Sequence, residues 1–165
     1  WSELSPFILG PINELGLYAV RFENFWQYLK VYKEHIELDG FLGEKWLQWR
    51  NQGFSNSKAI RYPMGKGAIP LYHWWGGDRL DYIQARKQVY APIYAKYVRE
   101  TNSYKKLSLL YEKKEKDIVL LDYDGYDETA LNMTLLDVIN NPERKMGHAF
   151  VLKMMLLNKL QECVK

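Results

Sequence analysis

Glu23, Gln27 and Lys30 are spaced so that a helix, turning about 100° per residue, carries them on one stripe. The stripe holds a carboxylate, an amide and an ammonium. Phe22, Phe25, Tyr28, Leu29 and Tyr32 fall on the opposite, apolar face of the same predicted helix. Trp26 stands beside the polar stripe, which suggests that the stripe lines a pocket. The plain alternative is a solvated face with a salt-linked Glu and Lys. In a pocket, Lys30 is a candidate nucleophile. A lysine attacks only as the neutral amine, and its unperturbed pKa is about 10.4. Burial or a neighbouring cation has to lower it. Trp26 offers apolar surroundings, and Glu23 offers a group to move protons. An ionised Glu23 also favours the ammonium, so the two demands conflict.

Further candidates lie downstream. Asp122, Asp124 and Asp127 follow the apolar run Ile118–Leu121, which reads as a buried strand. Carboxylates at a strand end suit catalysis, and an Asp-Gly turn in solvent is the alternative. Arg61 and Lys66, with the backbone N–H groups of Gly65 and Gly67, are placed to wrap an anion, without the spacing of a P-loop. Asn141 and Pro142 read as N-cap and first residue of a last helix. Its free N–H groups, with Arg144 and Lys145, offer a second anion site. Gly147 permits close approach of a ligand or of another backbone. His35, His73 and His148 have no metal-ligand spacing, so neither a metal site nor a cofactor is expected. His148 reads as a proton shuttle or a helix-end residue. Trp74-Trp75 can stack a base or close the core.

The elements that must position these groups follow from pattern and punctuation. Leu17–Val20 reads as a strand, and residues 23–36 as the first helix. A second helix fits 43–52, and 53–77, rich in Gly and Pro, reads as a long ordered loop. Asp78 reads as the cap of a helix interrupted at Pro92 and resuming to about Thr101, followed by helices over 104–113 and 134–139. The last helix is expected to run from Asn141 to about Cys163. This predicts an α+β, helix-dominated single domain over residues 1–165 with a small β element.

Composition sets the class. Hydrophobic residues make up 47% of the 165, enough for a core. Thirteen Tyr, six Trp and six Phe exceed what such a core needs and suit a planar ligand or a Tyr-rich rim. The single cysteine, Cys163, excludes a disulfide framework and fits a reducing, cytoplasmic setting. No apolar run is long enough to span a bilayer, so no membrane partner is expected, and no signal peptide is apparent. The net charge of +3 is modest and dispersed, below that of a DNA-coating protein yet compatible with a phosphate-bearing ligand.

Glu23-x3-Gln27-x2-Lys30 also resembles the corresponding helix of the NADAR family, proteins associated with NAD and ADP-ribose metabolism. Weaker likenesses keep the family's order. Leu4-Ser5-Pro6-Phe7 resembles its opening segment, and Asp81-Tyr82 with Lys87 and Tyr90 its middle helix. Val119–Asp122 with Asp124 and Asp127 resembles its acidic strand end, and Lys145-Met146-Gly147-His148 its closing segment. Pro6 and Lys145 stand where that family has Asn, and Gly125-Tyr126 replaces its Trp-Gly pair.

The resemblance implies an N-glycosidase, or ADP-ribosyl glycohydrolase, that releases ADP-ribose from guanine, in DNA or in a related ribose-phosphate compound. Lys30 would form a Schiff base with the opened ribose, with Glu23, Asp124 and Asp127 as acid–base candidates. Ser5, Phe7, Trp26 and Gln27 would bind substrate, together with Arg61, Lys66, Lys145 and Gly147. The competing readings are a non-catalytic module for ADP-ribose or nucleic acid, and a structural protein whose polar stripe is only surface.

Overall fold

Leu15 and Gly16 take left-handed backbone angles (φ 50° and 74°) between β1 (Ile12–Glu14) and β2 (Leu17–Ala19), which close an antiparallel hairpin. This is the first feature of the computed structural model, which describes residues 1–165. The fold is α+β and dominated by helix. It comprises two compact units, one of Pro6–Tyr82 and one of Trp1–Ser5 with Ile83–Lys165.

In the Pro6–Tyr82 unit, α1 spans Phe22–Gln27 and is buried on every side. The helix expected over 23–36 stops there. Tyr28 caps it, and Lys30–Val31 form β3, followed by a 3-10 turn at Lys33–His35. The alternating, β-branched and aromatic run from Leu29 to Tyr32 meets a partner strand here, and pairing overrides helical periodicity. That partner is β4 (Tyr72–Trp75), with Lys30 opposite His73. Strand β5 (Asp78–Leu80) completes a three-stranded antiparallel sheet in the order β3-β4-β5. The long loop is thus shorter than expected, and Asp78 opens a strand instead of capping a helix. Gly76 and Gly77, both at positive φ, turn this hairpin. A Gly-Gly pair between two β-type runs is a hairpin signal in the sequence itself. The second helix, α2 (Glu44–Ser55), packs on α1 and β2. A Cβ on its Gly53 would sit 2.2 Å from the Tyr28 ring, so only glycine admits this approach.

In the other unit, the 3-10 turn Ser2–Leu4 lies on α5 (Asn102–Lys113), with Ser103 N–H donating to the Glu3 carboxylate at 2.9 Å. Helix α3 (Tyr82–Ala85) runs into a π-helical turn, Arg86–Tyr90, and then α4 (Ala91–Val98). Pro92 lacks the N–H of a regular turn, and the wider turn precedes it. Thr134 and Asp137 form a capping box for α6 (Leu135–Asn140). The helix expected over 141–163 is two helices. Residues 141–147 are irregular, α7 covers His148–Leu156, and α8 covers Leu160–Cys163 beyond Asn158 at φ 54°. Helix α7 packs on α4 and α8 and is buried nearly all round. Ile118–Leu121 forms no strand and is not buried, contrary to expectation. No helix is long and apolar enough to cross a membrane.

Candidate functional site

Asn24, fully buried on α1, fixes the ground on which the Pro6–Tyr82 site is built. Its amide donates to the carbonyls of Asn56 (3.1 Å) and Lys58 (2.9 Å) and its oxygen accepts from Ile60 N–H (2.8 Å). These three bonds tie the start of the loop that carries Arg61 to the helix that carries Glu23. Arg21 adds bonds to Ser57 O and Ile8 O.

On the same helix, Gln27 Nε2 donates to Glu23 Oε1 at 2.9 Å. Lys30 Nζ donates to Gln27 Oε1, also at 2.9 Å. The carboxylate, amide and amine therefore form one continuous relay. Its direction is set by charge, since a flipped amide would turn its NH2 toward the Lys30 donor and its oxygen toward the carboxylate. Glu23 and Gln27 are buried, and Lys30 is half-buried. The relay survives the early end of α1 because Tyr28 leaves the helix with φ −90° and ψ 2°, close enough to helical to keep Lys30 over Gln27.

Trp26 closes the other side. The Lys30 ammonium lies 5.5 Å from the Trp26 ring centroid, and the His73 ring stacks on Trp26 at 4.5 Å. His73 is the residue that sequence reasoning left outside the site. It is 1% exposed, and its Nε2 has no hydrogen-bond partner. Burial, with the neighbouring Lys30 charge, pushes its pKa down to about 3, so it is neutral at physiological pH. Only the β3–β4 register, which sets His73 opposite Lys30, brings it here. The combination is a relayed lysine beside a stacked indole–imidazole pair whose imidazole is neutral.

Phe7 belongs to the same unit and is 36% exposed. The Arg61 guanidinium lies over the Tyr62 ring at 5.4 Å. Lys66 is exposed, between two glycines at positive φ. The Gly65 N–H already donates to Tyr62 O at 3.0 Å, which removes it from the set of anion donors.

The second cluster of candidates lies in the Ile83–Lys165 unit, where Asp122 takes the part foreseen for a ligand. Its Oδ2 accepts from Ala149 N–H and from His148 Nδ1, both at 3.1 Å, at the N-terminus of α7. Its Oδ1 accepts from Tyr123 N–H at 2.7 Å. Burial raises its pKa, but the His148 hydrogen bond and charge, with the two backbone N–H groups, outweigh burial and hold it down at about 2. A Cβ on Gly147 would come within 1.9 Å of Asp122 Oδ2. The close approach allowed by this glycine is that of the protein's own carboxylate. The anion site expected at Asn141–Arg144 is accordingly absent, because α7 begins at His148 and Asp122 occupies its end. Residues 138–144 are held instead by buried Arg86, which donates to Asn141 O (2.6 Å) and Arg144 O (2.5 Å). Lys145 is exposed.

Asp127 is exposed and caps its own turn, accepting from Thr129 Oγ1 (2.7 Å) and Ala130 N–H (3.1 Å). The Thr129 hydrogen bond lowers its pKa, so it stays ionised at neutral pH and suits a proton acceptor better than a donor. Asp124 is half-buried in the turn at 123–124. Ser5 ends the 3-10 turn at Ser2–Leu4, where its N–H donates to Ser2 O.

Residues 1–152 match the Family of unknown function (DUF6939), and the chain belongs to that family. No curated protein and no solved structure matches it.

Proposed function

We propose that this DUF6939 protein is an N-glycosidase that cleaves the bond between ribose and base in ADP-ribosylated guanine, free or in DNA, or in a related ribose-phosphate compound. The observation that carries the reading is the relay Glu23–Gln27–Lys30 beside Trp26. A lysine nucleophile needs a fixed position and a lone pair left open. Donation of one N–H to Gln27 Oε1 satisfies both, because the lone pair of the neutral amine then points elsewhere. The resemblance to the NADAR family supplies the substrate class.

In the proposed reaction the Lys30 amine forms a bond to the anomeric carbon as the ribose ring opens, and the carbon–base bond breaks. The amine gives up two protons in forming the imine, one to the opened ring oxygen and one to the departing base, with the Glu23 carboxylate as the group that takes up and passes on a proton. Water hydrolyses the resulting imine, releases the sugar aldehyde and returns Lys30 to its starting form. Trp26 and neutral His73 give the amine an apolar wall. Arg61, on the loop tied to α1 through Asn24, and Lys66 are the phosphate-holding candidates. The single buried thiol, Cys163, suits a reducing compartment, and we place the reaction in the cytoplasm.

Borohydride trapping during incubation with ADP-ribosylated DNA or the free nucleotide tests the proposal. An adduct on Lys30 is expected. Lys30→Arg should reduce turnover by at least about a thousandfold while retaining much of the ligand binding, since guanidinium stays protonated. Binding without turnover by the unaltered chain would instead identify a non-catalytic ADP-ribose or nucleic-acid module. Trapping on another lysine would overturn the assignment of Lys30.

A further inference from the structure

Helix α5 turns Tyr104 and Leu107 into the protein and keeps an outer side in solvent. At about 100° per residue, Leu109, Lys113 and Lys106 fall within about 60° of one another on that outer side. Lys105 and Leu110 flank them, and Glu112 lies beyond Lys105 at the edge. Leu109 and Leu110 are 58 and 40% exposed, and the three lysines are exposed as well. Trp1, 60% exposed, lies beside this face, with the Lys106 ammonium 5.3 Å from its ring centroid. None of the three lysines is in an ion pair. Two carboxylates nearby are held within the chain. Glu3 accepts from Ser103 N–H at 2.9 Å, and Glu112 accepts from Ser108 Oγ at 3.4 Å. Glu100, Glu115 and Asp117 lie outside the helix, before and after it. The outer side therefore presents two leucines and an indole to water, with open ammonium groups one turn before the leucines and one turn after them.

We propose that this face rests on an anionic membrane surface, with Leu109, Leu110 and Trp1 at the headgroup boundary and the lysines on the lipid phosphates and carboxylates. The three side-chain types together select that partner. Lysine is depleted from protein–protein interfaces, so three open lysines argue against a protein partner. A nucleic-acid backbone takes the lysines but offers nothing to bury two aliphatic side chains. An anionic bilayer takes all three types. The leucines enter the acyl boundary, the indole sits at headgroup level, and the lysine stems lie along the apolar layer while their ammonium groups stay at the surface. Such contact needs no spanning segment. The anionic leaflet faces the cytoplasm, the compartment proposed above for the reaction. Two leucines and one indole bury little apolar area, so the binding is weak, reversible and dependent on lipid charge and on salt.

Vesicle co-sedimentation of the full chain is the test, with phosphatidylcholine alone, with an equal mixture of phosphatidylcholine and phosphatidylserine, and with a DNA duplex as competitor. Binding at least about tenfold tighter to the mixed vesicles, and lost as salt is added, is expected. Lys105→Gln with Lys106→Gln should weaken it by about tenfold or more. Leu109→Gln with Leu110→Gln should weaken it by at least about fivefold and leave any affinity for DNA unchanged. All four positions are exposed, so the fold should persist, which circular dichroism checks. No preference for the anionic vesicles overturns the proposal, as does a preference that survives loss of the lysine pair. Binding indifferent to the leucine pair also overturns it, because that would be charge attraction alone. Tighter binding to DNA than to vesicles, lost with the lysines and indifferent to the leucines, overturns it and assigns the face to nucleic acid.

Discussion

Glu23 and Asp122 are both shielded carboxylates that accept hydrogen bonds, and each is linked to a basic side chain, Asp122 directly and Glu23 through an amide. Glu23 is linked to Lys30 through the Gln27 amide, and the lysine at the far end remains half-buried. Asp122 touches His148 directly, and its oxygens are also taken by the backbone N–H groups of Tyr123 and Ala149. The first arrangement keeps an amine positioned and half-open. The second is closed, with the carboxylate filling the end of α7 and a glycine clearing the space for it. A candidate catalytic acid is therefore distinguished from a structural one by what its acceptor capacity is bound to. Backbone donors that cannot move hold the Asp122 carboxylate, whereas the Gln27 side chain couples the Glu23 carboxylate to the Lys30 amine.

The two regions should separate most clearly on acidification. The pKa of His73 is about 3 in the folded chain against a reference value of 6.5, so the folded state binds fewer protons between those values. Its contribution is present above about pH 6.5 and is lost as pH falls toward 3. The slope is about 1.4 kcal/mol per pH unit and accumulates to several kcal/mol. Asp122, at about 2 against 3.8, contributes stability present above 3.8 and lost only as pH falls through about 2. Urea unfolding across pH should therefore show a steep limb that His73→Phe flattens, with a residual loss below pH 4. A limb unchanged in His73→Phe would show that the imidazole does not set it.

Gly147→Ala attacks the closed region next. Its methyl would overlap Asp122 Oδ2, so either the cap or the start of α7 must shift, at a cost of about 2–3 kcal/mol measured by denaturant unfolding. A neutral result would mean that the carboxylate can move aside freely. The smallest effect on stability is expected from Gln27→Leu, about 1–2 kcal/mol for the lost hydrogen bonds. Its turnover should fall by about tenfold to a hundredfold, because the lysine loses its fixed position. Unchanged kinetics in Gln27→Leu would remove the relay from the mechanism and leave the two carboxylates alike.

Much of this was legible in the residues. The spacing of Glu23, Gln27 and Lys30 places them within reach of one another whether the chain stays helical or turns out after Gln27, since Tyr28 keeps near-helical angles. The stop at Gln27 was not legible, because the run from Leu29 to Tyr32 suits helix or strand until a partner is present. The Gly76-Gly77 hairpin could have been read, and with it β4. His73 could not, because a lone histidine in a Tyr-Trp run signals nothing until register sets it opposite Lys30. Asp122 was grouped with Asp124 and Asp127, and their spacing alone does not single out the one that meets a helix end.

By itself, the sequence determined the class of molecule, a helix-dominated α+β chain with one thiol and no long apolar helix, and the local chemistry of the Glu-Gln-Lys stripe. These follow from composition and from contacts within one or two turns, where spacing dictates distance. The tertiary structure decided which carboxylate is closed off, which imidazole is buried neutral, and which apolar run is left without a partner strand. Each of these depends on groups far apart in the chain meeting at hydrogen-bond distance, and no local pattern encodes such a meeting.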